Sequence, residues 1–275
     1  VRASAGEALT GLRVALGTLS VLPVRAPLLD DSGRLASRAA VDPPPWPPAA
    51  GWAMLWAPVV GLLLGGLALG GALLIRAVGG GDPLAAVVAV ALLAAGTRGL
   101  HLDGLADTVD GLGVGRDAAR ALRVMKSSDT GPFAVITLVL VLLAQVASID
   151  RALGAGHGAL AVPLAAVVGR LTLAPACRPA VPAARPTGLG ALVAGRVPGL
   201  AAAVVTGLTL AASAAAGLLA GVGPWRPLLA TALGLLAGEA LLRHCRRRFG
   251  GVTGDVLGAL VETATTVALV VLATA

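Results

Sequence analysis

Residues 52–75 read WAMLWAPVVGLLLGGLALGGALLI, twenty-four positions without a charged side chain. A helix needs about 20 apolar residues to cross the hydrocarbon core of a bilayer, so this stretch sets the solvent in which the chain folds. Comparable runs follow at 84–100, 132–149, 158–175, 199–221, 227–242 and 256–274. The whole composition agrees: 57% of residues are hydrophobic and 13% charged, with a mean hydropathy of +0.89, against roughly 25% charged residues in a soluble domain. The run between Glu7 and Pro23 carries Arg13 in its middle and is too short to span. It is expected to lie in the interface or against the bundle. Glu7 and Arg13 also break the apolar centre that a signal peptide requires. The prediction is an all-α, polytopic transmembrane helix bundle of about seven spans plus an N-terminal interfacial or re-entrant helix, with residues 1–275 as a single integral-membrane domain.

Orientation follows from the basic residues. From the N-terminus onward, the segments outside the seven runs hold 5, 1, 5, 1, 4, 1, 4 and 0 lysines plus arginines. Basic loops stay in the cytoplasm, which puts the N-terminus and the long loops inside and the C-terminus outside. The net charge of +7 is then a bias of one membrane face and excludes nucleic acid as its explanation. Cys177 and Cys245 have no paired spacing and read as free thiols.

Against this background GLHLDGLADTVDGLG at 99–113 is exceptional, because it places Asp103, Asp107 and Asp110 at i, i+4 and i+7. On a helix the three share one stripe. A solvated helix end would also carry acids, but Leu105, Ala106, Val109 and Leu112 alternate with these and indicate a half-buried helix. Carboxylates held there mark function, and oxygen donors without a Cys or His cluster favour a hard cation, Mg²⁺ or Mn²⁺, bridging to phosphates. Arg116, Arg120, Arg123 and Lys126 follow. Singly each is accounted for by topology; together they suit a polyanion, most simply a pyrophosphate. Two further segments belong to the same predicted face. RPAVPAARPTGLG at 178–190 is too proline-rich for a long helix, and Gly188 and Gly190 permit close backbone approach to a ligand. RRRFGGVTGDVLGALVE at 246–262 ends a basic run in a turn, with Thr253 as a helix cap whose neighbouring amides can face an anion, and with Asp255 and Glu262 two turns apart on one face.

Six segments carry a family resemblance: LSVLPV at 19–24, PVVGLLLG at 58–65, HLDGLADTVDG at 101–111, VMKSSDTGPFAV at 124–135, ARPTGLG at 184–190 and TGDVLGALVE at 253–262. In order and spacing they resemble the cobalamin synthase family, adenosylcobinamide-GDP ribazoletransferase. After the Met-basic pair that family often shows Asp-Ser-Arg-x-Gly, whereas this chain has Ser127, Ser128, Asp129, Thr130 and Gly131 and lacks the Arg.

The resemblance implies a membrane phosphotransferase, a single catalytic domain in a bacterial cell inner membrane. Its reaction joins α-ribazole, or α-ribazole 5′-phosphate, to adenosylcobinamide-GDP with release of GMP. It implies Mg²⁺ as cofactor, the lipid bilayer and other late cobalamin-synthesis enzymes as partners, and a functional surface containing His101, Asp103, Asp107, Asp110, Lys126, Arg170, Arg185, Asp255 and Glu262. In this scheme Asp103 and Asp107 anchor the metal, and Asp110 shares it or takes the nucleophile's proton. Lys126, Arg170 and Arg185 hold phosphate charge, with Arg123, Gly188, Gly190 and Thr253 beside the substrate. Asp255 or Glu262 completes a second metal site, and His101 is a base, a corrinoid contact or a hydrogen-bonded orienter. Two rivals are weaker. A CDP-alcohol phosphotransferase requires an Asp-Gly-x-x-Ala-Arg pattern, which breaks down after Asp103-Gly104. A transporter predicts midplane acids and repeated halves, and neither is read here.

Overall fold

A computed structural model describes residues 5–24, 47–127 and 129–274. Arg2, Arg25, Arg34 and Arg38, counted above as basic residues of the first segment, and Ser128 of the 124–135 motif lie outside the described residues. In chain order the helices are α1 Ala5–Leu19, α2 Pro47–Ala77, α3 Asp82–Ala95, α4 Leu100–Gly113, α5 Ala118–Val124, α6 Pro132–Gly154, α7 Gly158–Leu171, α8 Leu173–Ala176, α9 Leu189–Val193, α10 Gly199–Leu219, α11 Trp225–Phe249 and α12 Gly254–Ala273. Among the described residues no strand forms, and the expected all-α bundle is observed.

Six helical segments are long and apolar enough to cross a membrane. The seventh expected span is broken: α3 and α4 meet at 83°. Arg98 (φ 55°) and Gly99 (φ 72°) both adopt left-handed backbone and turn the chain there. The broken pair still joins the two ends of the bundle. Asp82, at the start of α3, pairs with Arg76 at 2.8 Å and lies beside Gly154 at the end of α6, whereas α4 ends against the start of α6. Taken as one bent span, the pair brings the candidate spans among the described residues to seven.

Burial separates the centre from the periphery. In the most apolar windows of Gly158–Ala176 and α12, 72% and 67% of residues are buried, against 22% in α6 and in α10. α2 packs along α7, and α12 along α4, α7 and α11. Lipid tails give helices no hydrophobic reason to associate, so close packing of small residues has to do it. A Cβ on Gly65 would stand 2.7 Å from the Pro163 Cα and one on Gly61 2.5 Å from the Ala166 carbonyl oxygen, so these two glycines let α2 lie close against α7. The short N-terminal helix packs on α2, where the Trp56 indole N–H donates to the Ala8 carbonyl at 3.0 Å.

Candidate functional site

The site is built where α4 crosses the start of α12. A Cβ on Gly104 would lie 2.7 Å from the Asp255 carbonyl oxygen and 3.0 Å from its Cα, and one on Gly258 would lie 3.1 Å from the His101 Cα. Only hydrogens at these positions let the backbones approach so closely. Asp103 and Asp107, on either side of Gly104, are thereby brought beside Asp255. Asp103 is exposed, while Asp107 and Asp255 are half-buried. The Asp107 carboxylate lies within the electrostatic reach of Asp103, Asp255 and Asp110, so this end of the bundle concentrates negative charge.

Two loops supply the opposite sign. The 178–190 segment pairs with the turn before α12: Ala184 N–H donates to the Val252 carbonyl and Val252 N–H to the Pro182 carbonyl, each at 2.9 Å. A side chain at Gly251 would strike the backbone of Pro182, Ala183 and Ala184, the nearest atoms of the last two being 2.7 Å from its Cβ. This pairing delivers Arg185, whose Nη1 is 3.6 Å from Asp255 Oδ2 and whose Nη2 donates to the Leu122 carbonyl at 2.5 Å. One guanidinium therefore ties the end of α5 to the start of α12. Thr253 caps α12, accepting from Val256 N–H at 3.2 Å, and its hydroxyl donates to Asp255 Oδ2 at 3.1 Å. Lys126 and Arg123 are exposed on the α5 side, and the Lys126 charge reaches Asp255. Gly188, at φ 92°, opens α9, and Gly190 sits against Val252 and Thr253.

Other expected site residues are placed elsewhere. Asp110 is buried and caps α6, accepting from Gly131 N–H at 2.6 Å and Ala134 N–H at 3.0 Å. Glu262 lies about 10 Å deeper than Asp255 along α12, seven residues at 1.5 Å each, and accepts from the Gln145 amide at 2.8 Å. His101 and Arg170 are also buried, with Arg170 Nη2 3.3 Å from His101 Nδ1. These four residues thus lie behind the open carboxylate face, inside the helix packing.

Three supporting residues were not singled out from the sequence. Gln145 is the polar break in the 132–149 run. Asp117 caps α5 by accepting from Ala119 and Arg120 N–H at 2.9 and 3.2 Å. Arg248 leaves the basic run to donate to the carbonyls of Leu112, Val114 and Gly115 at the end of α4.

Among the described residues, no group of three or more His, Cys, Asp or Glu is arranged to hold a metal ion. Magnesium, however, keeps much of its water and is commonly bound by one or two carboxylates plus substrate phosphates. Asp103 and Asp107, one exposed and one half-buried on the same helical stripe, fit that smaller requirement. Asp255 is engaged by Arg185 and Thr253, and Asp110 by two amides.

Fold and site together define a multi-pass helical membrane protein that gathers carboxylates and cations at one end of its bundle. The chain belongs to the cobalamin-5-phosphate synthase family, whose model matches residues 11–273. It is 44% identical to the adenosylcobinamide-GDP ribazoletransferase of Frankia casuarinae over 276 aligned residues, covering 95% of this chain and 93% of the relative. The enzymes of the same name from Nocardioides sp. and Pseudomonas aeruginosa are 40% and 38% identical, covering 92% and 97% of this chain and 93% and 99% of theirs. No solved structure matches.

Proposed function

We propose that this chain is an adenosylcobinamide-GDP ribazoletransferase. A ribose hydroxyl of α-ribazole, or of its 5′-phosphate, attacks the phosphorus attached to cobinamide; that P–O bond forms, the bond to GMP breaks, and the hydroxyl proton passes to a carboxylate of the site. The observation that carries this reading is the Asp103–Asp107 pair set against the Arg185–Asp255 ion pair by the Gly104 contact. Asp103 and Asp107 would hold Mg²⁺, which when bound supplies neutralising charge for the diphosphate. Arg185 and Lys126 stand nearby to receive the charge that grows on the phosphoryl and leaving oxygens. The buried Arg170, His101 and Glu262 support the helices that present this face.

The alternation of basic segments supports an orientation with the N-terminus and the carboxylate end in the cytoplasm and the C-terminus outside. The test is GMP release by purified protein in liposomes given adenosylcobinamide-GDP with either acceptor, with and without Mg²⁺. Metal-dependent release that falls at least about a hundredfold in Asp107→Asn is expected, since removing one charge-stabilising group typically costs that much. Near-normal rates for Asp107→Asn at saturating Mg²⁺ would falsify the assignment.

A further inference from the structure

α11 has 25 residues and is therefore about 37 Å long at 1.5 Å per residue, more than the roughly 30 Å of a bilayer core. Its final turns, rich in arginine, are suited to headgroup level or beyond. They carry Arg243, Arg246, Arg247 and Arg248, and these four do different things. Arg248 turns back to the end of α4, as above. Arg243, Arg246 and Arg247, at i, i+3 and i+4, share one face and with Pro182 and Gly250 line a cleft of about 360 Å³.

No acidic residue lines this cleft. Arg243 donates to Glu239 at 2.9 Å, but the same carboxylate already accepts two bonds from Arg178, at 2.8 and 2.9 Å. Arg246 donates from Nη2 to the Ala180 carbonyl at 2.7 Å, a neutral partner. Arg247 is exposed and has no partner among the described residues. Retention of basic loops on one side of a membrane needs positive charge, not its convergence on a concave space. The cleft also differs from the carboxylate site: it lies at the same end of the bundle, with Pro182 on its wall, while Arg185 three residues on faces Asp255.

We propose that Arg243, Arg246 and Arg247 form a second anion-binding cleft, built for the phosphate group of an organophosphate. Guanidinium forks match phosphate oxygens in pairs, and three around one space supply more donors than a carboxylate can use. Two sources carry that chemistry at this depth: a soluble nucleotide and an anionic phospholipid headgroup.

The experiment uses the whole protein in nanodiscs. In neutral phosphatidylcholine discs, GMP and GDP binding is titrated by calorimetry; from discs containing phosphatidylglycerol, retained lipid is counted by native mass spectrometry. Wild type is expected to bind at least one probe, and Arg243→Gln/Arg247→Gln to bind it at least about tenfold more weakly, in line with the loss of charge-assisted hydrogen bonds. Arg247→Gln alone removes no internal contact and is expected to weaken binding severalfold in a fully folded protein. Loss of nucleotide binding identifies the soluble source and loss of retained lipid the membrane source. Wild type binding neither probe, or variants binding both like wild type, overturns the proposal. The titrations are made without Mg²⁺ and without acceptor, where the carboxylate site holds no metal for a diphosphate, so failure here is separable from failure of the transfer reaction.

Discussion

Asp110 and Gly131 are joined by a 2.6 Å hydrogen bond in which the Gly131 backbone N–H donates to the carboxylate. With the second bond from Ala134, the carboxylate satisfies two amides that α6 leaves without helical partners, and its charge complements the positive end of the helix dipole. Asp110→Ala is therefore expected to destabilise the protein by about 1–3 kcal/mol, with Asp110→Asn recovering part of the loss. Thermal unfolding in detergent checks this, and an unchanged midpoint for Asp110→Ala would contradict the capping role.

Gly104→Ala is expected to separate α4 from α12, since its Cβ would fall 2.7–3.2 Å from Asp255 backbone atoms that cannot rotate away. Overpacking of this kind is worth about 1–3 kcal/mol of stability, and activity should fall further because the carboxylates part. Gly207→Ala on α10, where an added Cβ meets nothing within 4 Å, is the control and should match wild type or exceed it slightly. Equal melting temperatures for the two variants would refute the contact.

Arg185→Lys should lose most of the activity, by about tenfold or more, although the charge is kept. A single ammonium cannot reach in two directions as a guanidinium does, and Arg185 uses Nη1 toward Asp255 and Nη2 toward Leu122. Measuring GMP release by the purified variant decides the matter; wild-type turnover would show that position 185 needs only charge.

Arg170 is 2% and Glu262 9% exposed, and although no direct ion pair joins them each charge lies within electrostatic reach of the other, so removing one leaves the other less compensated away from water. Arg170→Met is expected to be destabilised by about 1–3 kcal/mol, through loss of the His101 contact and of the compensating charge, and adding Glu262→Gln should restore part of it. If the double variant were less stable than the sum of the singles, the two charges would not be balancing each other.

Burial pushes the Cys177 thiol up to about 12 from the ordinary 9.0. The folded state thus keeps its proton while the unfolded chain ionises above pH 9.0, so this group contributes a loss of stability as pH rises from 9.0 toward about 12. Cys177→Ala should flatten that decline. In native protein at neutral pH, maleimide should leave Cys177 unlabelled until the fold is opened.

The membrane-spanning runs were legible because each is a local property of composition; 132–149 and 256–274 correspond to α6 and α12 within a few residues. The bend was not, because 84–100 carries neither charge nor proline before Arg98, and the left-handed conformations of Arg98 and Gly99 accompany the packing of α4 on α12. The aspartate stripe illustrates the same division. Helical spacing put Asp103, Asp107 and Asp110 on one face, but their surroundings change along it, from exposed to half-buried to buried. Likewise Asp255 and Glu262 share a face at different depths, and periodicity records direction around a helix rather than distance from its mouth. Arg248 was hidden in a run of identical neighbours, since only the location of the end of α4 distinguishes it from Arg247.

The pairing of Ala183 with Val252 has a consequence for biosynthesis. α4 leaves the ribosome about 140 residues before α12, yet its aspartates have no Asp255 beside them, and the Arg185 loop no Val252 to pair with, until α12 is in place. The chain can therefore thread α2 to α11 into the membrane while the site is chemically incomplete, and α12 acts as the keystone that closes it.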